Sequence, residues 1–356
     1  VSKAYAGAGV DTDAADRGVG ALVHELSGIA PRGRSRTVPL PGHYASVLEI
    51  APNLGVALAT DSVGSKVIVA EQMARFDTIG IDCVAMNVND LVCVGARPLA
   101  LVDYIAVEKA DEKMLREIGI GLRVGAEAAG IEIPGGEVCQ VPEVIRGHPS
   151  PRGFDLVGSA FGTVALDRIV AGSAVGPGDV VIGLPSSGIH ANGLTLARQA
   201  LLQRGRLSLS SVLAELKGAS VGEALLEPTA IYVQAVLELL ASDVPVHGLA
   251  HITGGGLFNL LRIGRGIGYE ISSPLPTPPI FQLIAERGEV ADAEMWEVFN
   301  MGCGMCAMVP SEHADDATVL LGRHHPGTGQ IGRVTDSEGE VALPRSGLRL
   351  TRRGSY

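Results

Sequence analysis

Aromatic residues are scarce in this sequence. Phe, Trp and Tyr supply 4% of its 356 residues, whereas hydrophobic types together reach 46%. A core must therefore be built mostly from Ala, Val, Leu and Ile. Basic runs are sparse as well. The densest are residues 32–36 and the Arg352-Arg353 pair, and the formal net charge is −11, which argues against nucleic acid as a partner. The five cysteines, Cys83, Cys93, Cys139, Cys303 and Cys306, are odd in number and irregularly spaced. That excludes a disulfide framework and suits a reducing cytoplasm. Residues 1–5 lack the apolar segment of a secretory signal. No uninterrupted apolar run reaches about 18 residues, so no membrane partner is expected. The two common nucleotide fingerprints are missing too. Lys66 is followed by Val67 and not by Ser or Thr, which breaks the Walker pattern, and no strand leads into G-x-G-x-x-G. No Ser-His-Asp or Cys-His arrangement can be assembled, so no covalent enzyme intermediate is expected.

What is present is a set of acids in unusual settings. Asp61 lies in Ala59-Thr60-Asp61-Ser62-Val63-Gly64-Ser65-Lys66, Asp90 ends Met86-Asn87-Val88-Asn89-Asp90, and Glu137 follows Pro134-Gly135-Gly136. Each closes or interrupts an apolar stretch, where a bare carboxylate is costly to bury. A hard cation such as Mg²⁺, bridging phosphates, would pair with all three. Lys66 adds a point charge suited to phosphate. Each motif also has a plainer reading: a polar turn, a buried cap, a solvated glutamate.

The chain length suggests two domains, at roughly 100–200 residues each. Apolar periodicity predicts helices over 80–95, 111–129 and 229–241, and strands near 46–50, 55–60, 98–107, 154–166 and 179–184. A helix follows Asp11-Thr12-Asp13, and residues 29–45 read as a mobile loop. Residues 135–137 read as a turn. Residues 172–179, small and rich in Pro and Gly, read as the connection between domains. Strands alternating with helices predict α/β or α+β layers.

Two later motifs join a strand to a helix. Ser186-Ser187-Gly188-Ile189-His190-Ala191-Asn192-Gly193 gathers backbone N–H groups as an anion site would, and N-capping alone is the simpler alternative. In His247-Gly248-Leu249-Ala250-His251-Ile252-Thr253-Gly254-Gly255-Gly256 the flanking apolar run favours a strand over a zinc helix. His251 then falls at the strand's C-terminal end, where α/β sites form. Cys303-x-x-Cys306 has metal or redox spacing, but it lacks a second pair and reads as part of a buried strand.

In this order the segments resemble the aminoimidazole ribonucleotide synthetase (phosphoribosylformylglycinamidine cyclo-ligase) family. The residues carrying the resemblance include Tyr5-Ala6-Gly7-Ala8-Gly9-Val10-Asp11, Asp77-Thr78-Ile79-Gly80-Ile81-Asp82, Asn89-Asp90-Leu91-Val92, Asp103-Tyr104 and Gly135-Gly136-Glu137. They continue with Ser187-Gly188-Ile189-His190-Ala191-Asn192-Gly193, Glu227-Pro228-Thr229-Ala230-Ile231-Tyr232, His251-Ile252-Thr253-Gly254-Gly255-Gly256 and Phe299-Asn300-Met301-Gly302-Cys303-Gly304-Met305.

The resemblance implies an N-terminal ATP-binding and dimerisation domain (1–170) and a C-terminal α/β domain (171–356). It implies a homodimer whose N-terminal mixed sheets pair into a shared barrel. It also implies ATP-dependent ring closure of formylglycinamidine ribonucleotide, through phosphorylation of the formamide oxygen. On that footing Asp61, Asp90 and Glu137 hold Mg²⁺–ATP, with Lys66 and Asn89 on phosphates. Ser187, Gly188, His190, Asn192, Thr253 and Gly254 bind substrate, and His251, His190 and Lys66 are the catalytic candidates. Ser62 stands where the family has glycine, and Val138-Cys139-Gln140 replaces Thr-Ala-Glu. Residues 28–42 offer Arg32, Arg34 and Arg36 in place of a longer glycine-rich loop with a lysine. The tail from about residue 340 lies outside the resemblance. A thiamine monophosphate kinase-like phosphotransferase, or a nucleotide-binding homologue without this catalysis, are the alternatives.

Overall fold

The structure, a computed structural model, describes residues 12–30 and 34–351. The Tyr5-to-Asp11 motif, Arg32 and the Arg352-Arg353 pair lie outside the described residues. Two sheets organise the chain. Helix α1 (Thr12–Ser27) precedes the first sheet, whose strands are β1 (Thr37–Val38), β2 (Ser46–Ala51) and β3 (Leu54–Ser62). Helices α2 (Lys66–Met73) and α3 (Ile79–Cys93) lead to β4 (Arg97–Val107), and α4 (Glu112–Ala129) leads to β5 (Glu132–Gln140) and β6 (Phe154–Val164). The strand order is β1-β2-β3-β6-β4-β5, antiparallel except for the parallel β4/β5 pair.

Helix α3 sets the geometry. It packs against β3 and β6 on one side, α4 on another, and the second sheet beyond. Its apolar residues run all round, as expected of a helix buried on every side. The crossing with α4 is backbone to backbone. A Cβ on Gly80 would stand 2.1 Å from the Leu122 nitrogen, so only glycine fits. Helix α4 starts where the Asp111 carboxylate accepts the Met114 N–H and ends at Gly130 in left-handed backbone (φ 71°).

The face of the first sheet turned away from α3 is apolar and open. Leu58 pairs in register with Phe161, and the two are 42% and 39% exposed, with Val102 and Tyr104 at 43% and 42%. So contiguous an apolar surface marks an interaction face.

The second sheet contains β7 (Val180–Pro185), followed by helix α5 (Leu194–Arg198), then β8 (Gly248–His251), β9 (Gly268–Glu270), β10 (Cys303–Val309), β11 (Gly329–Thr335), β12 (Glu340–Leu343) and β13 (Leu348–Thr351). The order is β13-β12-β9-β11-β7-β10-β8. Every residue of β10 is buried, and a register shift between Cys303 and Met305 leaves the Cys303 and Cys306 sulfurs 3.5 Å apart. No helix among the described residues is long and apolar enough to cross a membrane.

Three local expectations are corrected. Residues 135–137 form no turn. They lie inside β5, with Gly135 beside Val102, Gly136 beside Asp103 and Glu137 beside Tyr104. Glycine is required at 136 for space, since a Cβ there would meet Asp103 Oδ1 at 2.5 Å. The helix expected from residue 229 begins at Val233, because residues 227–232 are drawn out and bonded to α3. The end of the 29–45 segment is anchored. The Tyr44 hydroxyl donates to the Asn259 carbonyl at 3.0 Å, and the Arg262 guanidinium covers its ring at 4.2 Å. Residues 340–351 complete the second sheet, as β12 joins β9 in parallel and β13 pairs with β12.

Candidate active site

The candidate residues converge where α3 meets the two loops of the second sheet. Asp82 and Asn89 lie seven residues apart on α3, two turns along one face. Both are fully buried, so both need partners. Residues 227–232 supply them. Asp82 Oδ1 accepts the Thr229 N–H at 2.8 Å and the Thr229 hydroxyl at 2.6 Å. Asn89 Nδ2 donates to the Ala230 carbonyl and Asn89 Oδ1 accepts the Tyr232 N–H, both at 2.9 Å. Lys66, at the start of α2, donates from Nζ to Asp82 at 2.9 Å and to the Glu227 carbonyl at 2.6 Å. The Lys66–Asp82 pair is fully buried.

The same strip holds the 186–193 loop. Ser187 Oγ donates to the Pro228 carbonyl, and the Ser187 and Ala230 N–H groups donate to His190 Nε2 at 3.2 and 3.4 Å. With Nε2 accepting, the ring proton of His190 belongs on Nδ1. Burial, reinforced by the Lys66 charge, holds its pKa well below the usual histidine range, so the ring is neutral. His190 has left-handed backbone (φ 66°) and nests against Gly304, where a Cβ would stand 2.6 Å from its ring. Asn300 fixes the loop from behind, donating to the Gly188 and Ile189 carbonyls at 2.9 and 3.2 Å and accepting the Ser186 hydroxyl at 2.8 Å.

The 253–256 loop is held similarly. Asn259 Oδ1 accepts the Thr253 N–H at 2.7 Å, and its Nδ2 donates to the Gly254 carbonyl at 3.3 Å. A Cβ on Gly254 would lie 3.2 Å from Asn192 Oδ1, so the two loops meet there. Across from them, Ser65 and Thr195 share a hydroxyl hydrogen bond at 2.9 Å, tying the Asp61 loop to α5.

Two carboxylates face this junction. Asp61 ends β3, and its Oδ1 accepts the Ser62 N–H at 2.7 Å. Burial raises its pKa most. The Ser62 hydrogen bond opposes that rise, and the Asp90 charge adds to it. Asp90 is one-fifth exposed and bonds His251 Nδ1 through Oδ1 at 2.8 Å. A third acid escaped the sequence reading except as part of a motif. Asp103 stands level with Asp61, each paired with Gly158 of β6 between them, and burial raises its pKa too. Its signal was an acid inside the otherwise apolar run of β4.

The structure does not bring every expected residue together. Glu137 is exposed on edge strand β5, separated from Asp61 by β6 and β4, about 14 Å away at about 4.8 Å per strand. Lys66 and Asn89 are wholly buried, with their polar groups directed at residues 227–232 and Asp82. The two histidines of His247-x-x-x-His251 part company: His247 pairs with Asp179 at 2.8 Å and His251 with Asp90. Among the described residues, no cluster of three or more His, Cys, Asp or Glu side chains could hold a metal. The Asp61 and Asp90 pair still suits a hard cation, because its donors are carboxylate oxygens and the Asp61 charge is under strain. Mg²⁺ takes one or two carboxylates and completes its shell with water and phosphate.

Two outcomes are expected. Lys66→Met leaves the Asp82 charge buried without its counter-charge and should lower unfolding free energy by about 3–5 kcal/mol in denaturant titrations, with Lys66→Met/Asp82→Asn recovering part of that loss. A loss below about 1 kcal/mol would mean the pair is solvated. The second concerns pH. Asp61 binds its proton more tightly folded than unfolded, so its contribution to stability falls as pH rises from its ordinary value of 3.8 through the raised one. Asp61→Asn should therefore be more stable than the parent at pH 8, with the advantage shrinking towards pH 4. An equal or lower stability at pH 8 would contradict the strained carboxylate.

Comparison with known proteins agrees with this architecture. Residues 42–164 match the family model for the N-terminal domain of AIR synthase related proteins, and residues 176–343 match the model for the C-terminal domain. The phosphoribosylformylglycinamidine cyclo-ligase of Methanothermobacter thermautotrophicus is 48% identical over 343 residues, covering 95% of this chain and 96% of that protein. The protein of the same name from Thermococcus kodakarensis is 46% identical over 349 residues, covering 97% and 99%. Among solved structures, thiamine-monophosphate kinase from Stenotrophomonas maltophilia superposes with a TM-score of 0.62 at 22% identity, over 87% of this chain and 92% of that one. Hydrogenase maturation protein HypE in complex with ATP gives 0.61 at 20% identity, over 90% of each chain. These last two likenesses concern the fold. The full-length relatives go further, and the chain belongs to the phosphoribosylformylglycinamidine cyclo-ligase family, built from the two AIR synthase related domains.

Proposed function

We infer that this chain closes the imidazole ring of aminoimidazole ribonucleotide, using formylglycinamidine ribonucleotide and ATP and releasing ADP and phosphate. The observation that carries this reading is the 48% identity to a cyclo-ligase over nearly the whole of both chains. That a protein of the same fold is seen in complex with ATP supports nucleotide use. We place the division between an ATP-binding and dimerisation domain and a C-terminal domain at residue 170.

The chemistry asks mainly for positioning. The formamide oxygen is a poor leaving group until it accepts the γ-phosphoryl. The amidine nitrogen then attacks the same carbon, the ring closes and phosphate departs with the oxygen. We assign Asp61 and Asp90 to the nucleotide's magnesium ion, which supplies charge neutralisation for phosphoryl transfer when bound. Ser187, Gly188, Asn192, Thr253 and Gly254 line the meeting point of the two loops and hold the substrate there. His190, neutral and pinned by two backbone N–H groups, shapes the 186–193 loop. Lys66 and Asn89 hold the frame in place of phosphate. Glu137 projects from the sheet that bears the open apolar face. It reaches a triphosphate only where a second copy closes over that sheet, in keeping with the paired sheets of a homodimeric barrel.

Coupled detection of phosphate release from ATP should show dependence on formylglycinamidine ribonucleotide, and Asp90→Ala should cut turnover by roughly a hundredfold or more. Release that depends on thiamine monophosphate instead would favour a phosphotransferase. Release with no tested substrate would favour a nucleotide-binding homologue. Phe161→Glu puts a charge at the centre of the open sheet face and should shift the protein from dimer to monomer in sedimentation velocity. An unchanged dimer would remove this face from the interface.

A further inference from the structure

His251 ends β8 and is fully buried, as its side-chain exposure of 0% shows. Its two ring nitrogens meet consecutive residues of α3. Nδ1 lies 2.8 Å from Asp90 Oδ1, and Nε2 lies 3.4 Å from Asn89 Nδ2. The tautomer follows from the backbone. Asn89 Oδ1 accepts the Tyr232 N–H and its Nδ2 donates to the Ala230 carbonyl, so the amide cannot be turned round without losing both bonds. The group that faces His251 is therefore an NH₂ donor, Nε2 accepts, and the ring proton sits on Nδ1 and is donated to Asp90. Neither nitrogen is left for substrate. Among the described residues, His251 is the one hydrogen-bond partner of the partly exposed Asp90 carboxylate.

We infer that His251 is a positioning residue: it acts on the reaction through Asp90, fixing one carboxylate oxygen so that the other is presented to the nucleotide's cation. This rests on the assignment of Asp90 to Mg²⁺–ATP made above. The chain of command runs from the backbone of Ala230 and Tyr232, through the Asn89 amide and the His251 ring, to Asp90. The strip that carries the first two residues also holds Ser187 and His190, so the substrate loop and the carboxylate are set by one piece of backbone. A fixed carboxylate is the usual gift of an outer-shell partner, whose loss typically costs 10–100-fold in metal affinity.

The test uses side chains that mimic one ring nitrogen each. Asparagine can place an amide N–H near the Nδ1 position, whereas glutamine reaches the Nε2 position and leaves Asp90 without its donor. The probe is Mg²⁺ with a non-hydrolysable ATP analogue, titrated calorimetrically into the full-length protein. His251→Gln and His251→Ala should weaken binding by about 10–100-fold, and His251→Asn should retain most of it. In steady-state assays the KM for ATP should rise in the Gln and Ala variants while the KM for formylglycinamidine ribonucleotide stays put. Asp90→Asn should weaken binding comparably, and His251→Ala/Asp90→Asn should be no worse than Asp90→Asn alone, because the two act as one unit. This cycle also guards against a Gln or Ala variant that folds poorly. Additive losses would overturn the inference. So would variants that all bind the analogue like the parent while turnover collapses, the pattern of a proton-transfer residue. Asp90→Ala binding the analogue unchanged would overturn it together with the Asp90 assignment. A parent protein that binds the analogue with intact coupling, yet releases no phosphate with formylglycinamidine ribonucleotide, would sink the proposed reaction and leave this inference standing.

Discussion

A helix buried between two sheets has to pair most of its polar side-chain groups, and much of this molecule is arranged around that constraint. Helix α3 is apolar enough to be buried by both sheets, yet it carries Asp82 and Asn89, besides Asn87 and the partly exposed Asp90. Residues 227–232 satisfy the first two, so they stay extended where propensity would wind them into helix. Lys66 neutralises Asp82 without exposure to water. Because that strip also holds Ser187 and His190, satisfying the helix and shaping the 186–193 loop are the same act. A buried ion pair of this kind is weak as a source of stability but strict about geometry, since neither member tolerates losing the other.

The carboxylates left over are Asp61, Asp103 and Asp90. Asp61 and Asp103 flank Gly158 on the helix side of the first sheet, each with its ionised form disfavoured by burial. Asp90 adds its own charge close by. A site held this way is less stable than an apolar version would be. Stability given up in this way is a trade that functional sites commonly make.

Much of this could be read in the sequence, and the omissions have a common cause. Asp61, Asp90, Ser187, Asn192, His251 and Gly254 stand out because each is a polar or glycine residue beside an apolar run, and the structure gathers them at one junction. The roles of Lys66 and Asn89 could not be read that way. A lysine near a turn looks like a phosphate ligand, and only the three-dimensional path of residues 227–232 shows who occupies its ammonium. Gly135-Gly136 looked like a turn because two glycines usually are one. The need for glycine at 136 comes from the Asp103 side chain on a neighbouring strand, thirty-three residues earlier. The role of Asn300 was hidden for the same reason, since its amide bonds backbone groups of the distant 186–193 loop. Local pattern reported which residues were out of place, and long-range pairing decided what they do.

The seam between the two sheets has a consequence of its own. Two-domain enzymes commonly hinge at their linker, and the small residues at 172–179 look made for it. Here the boundary is crossed by hydrogen bonds from Asp82, Asn89 and Lys66 and by the grip of Arg262 on the Tyr44 loop. Rotating one half against the other would strand an aspartate, an asparagine and a lysine in an apolar interior. A hinge at 172–179 would therefore have to break these bonds. The two halves are separate as sheets and as stretches of sequence, but in physical terms they form a single solid.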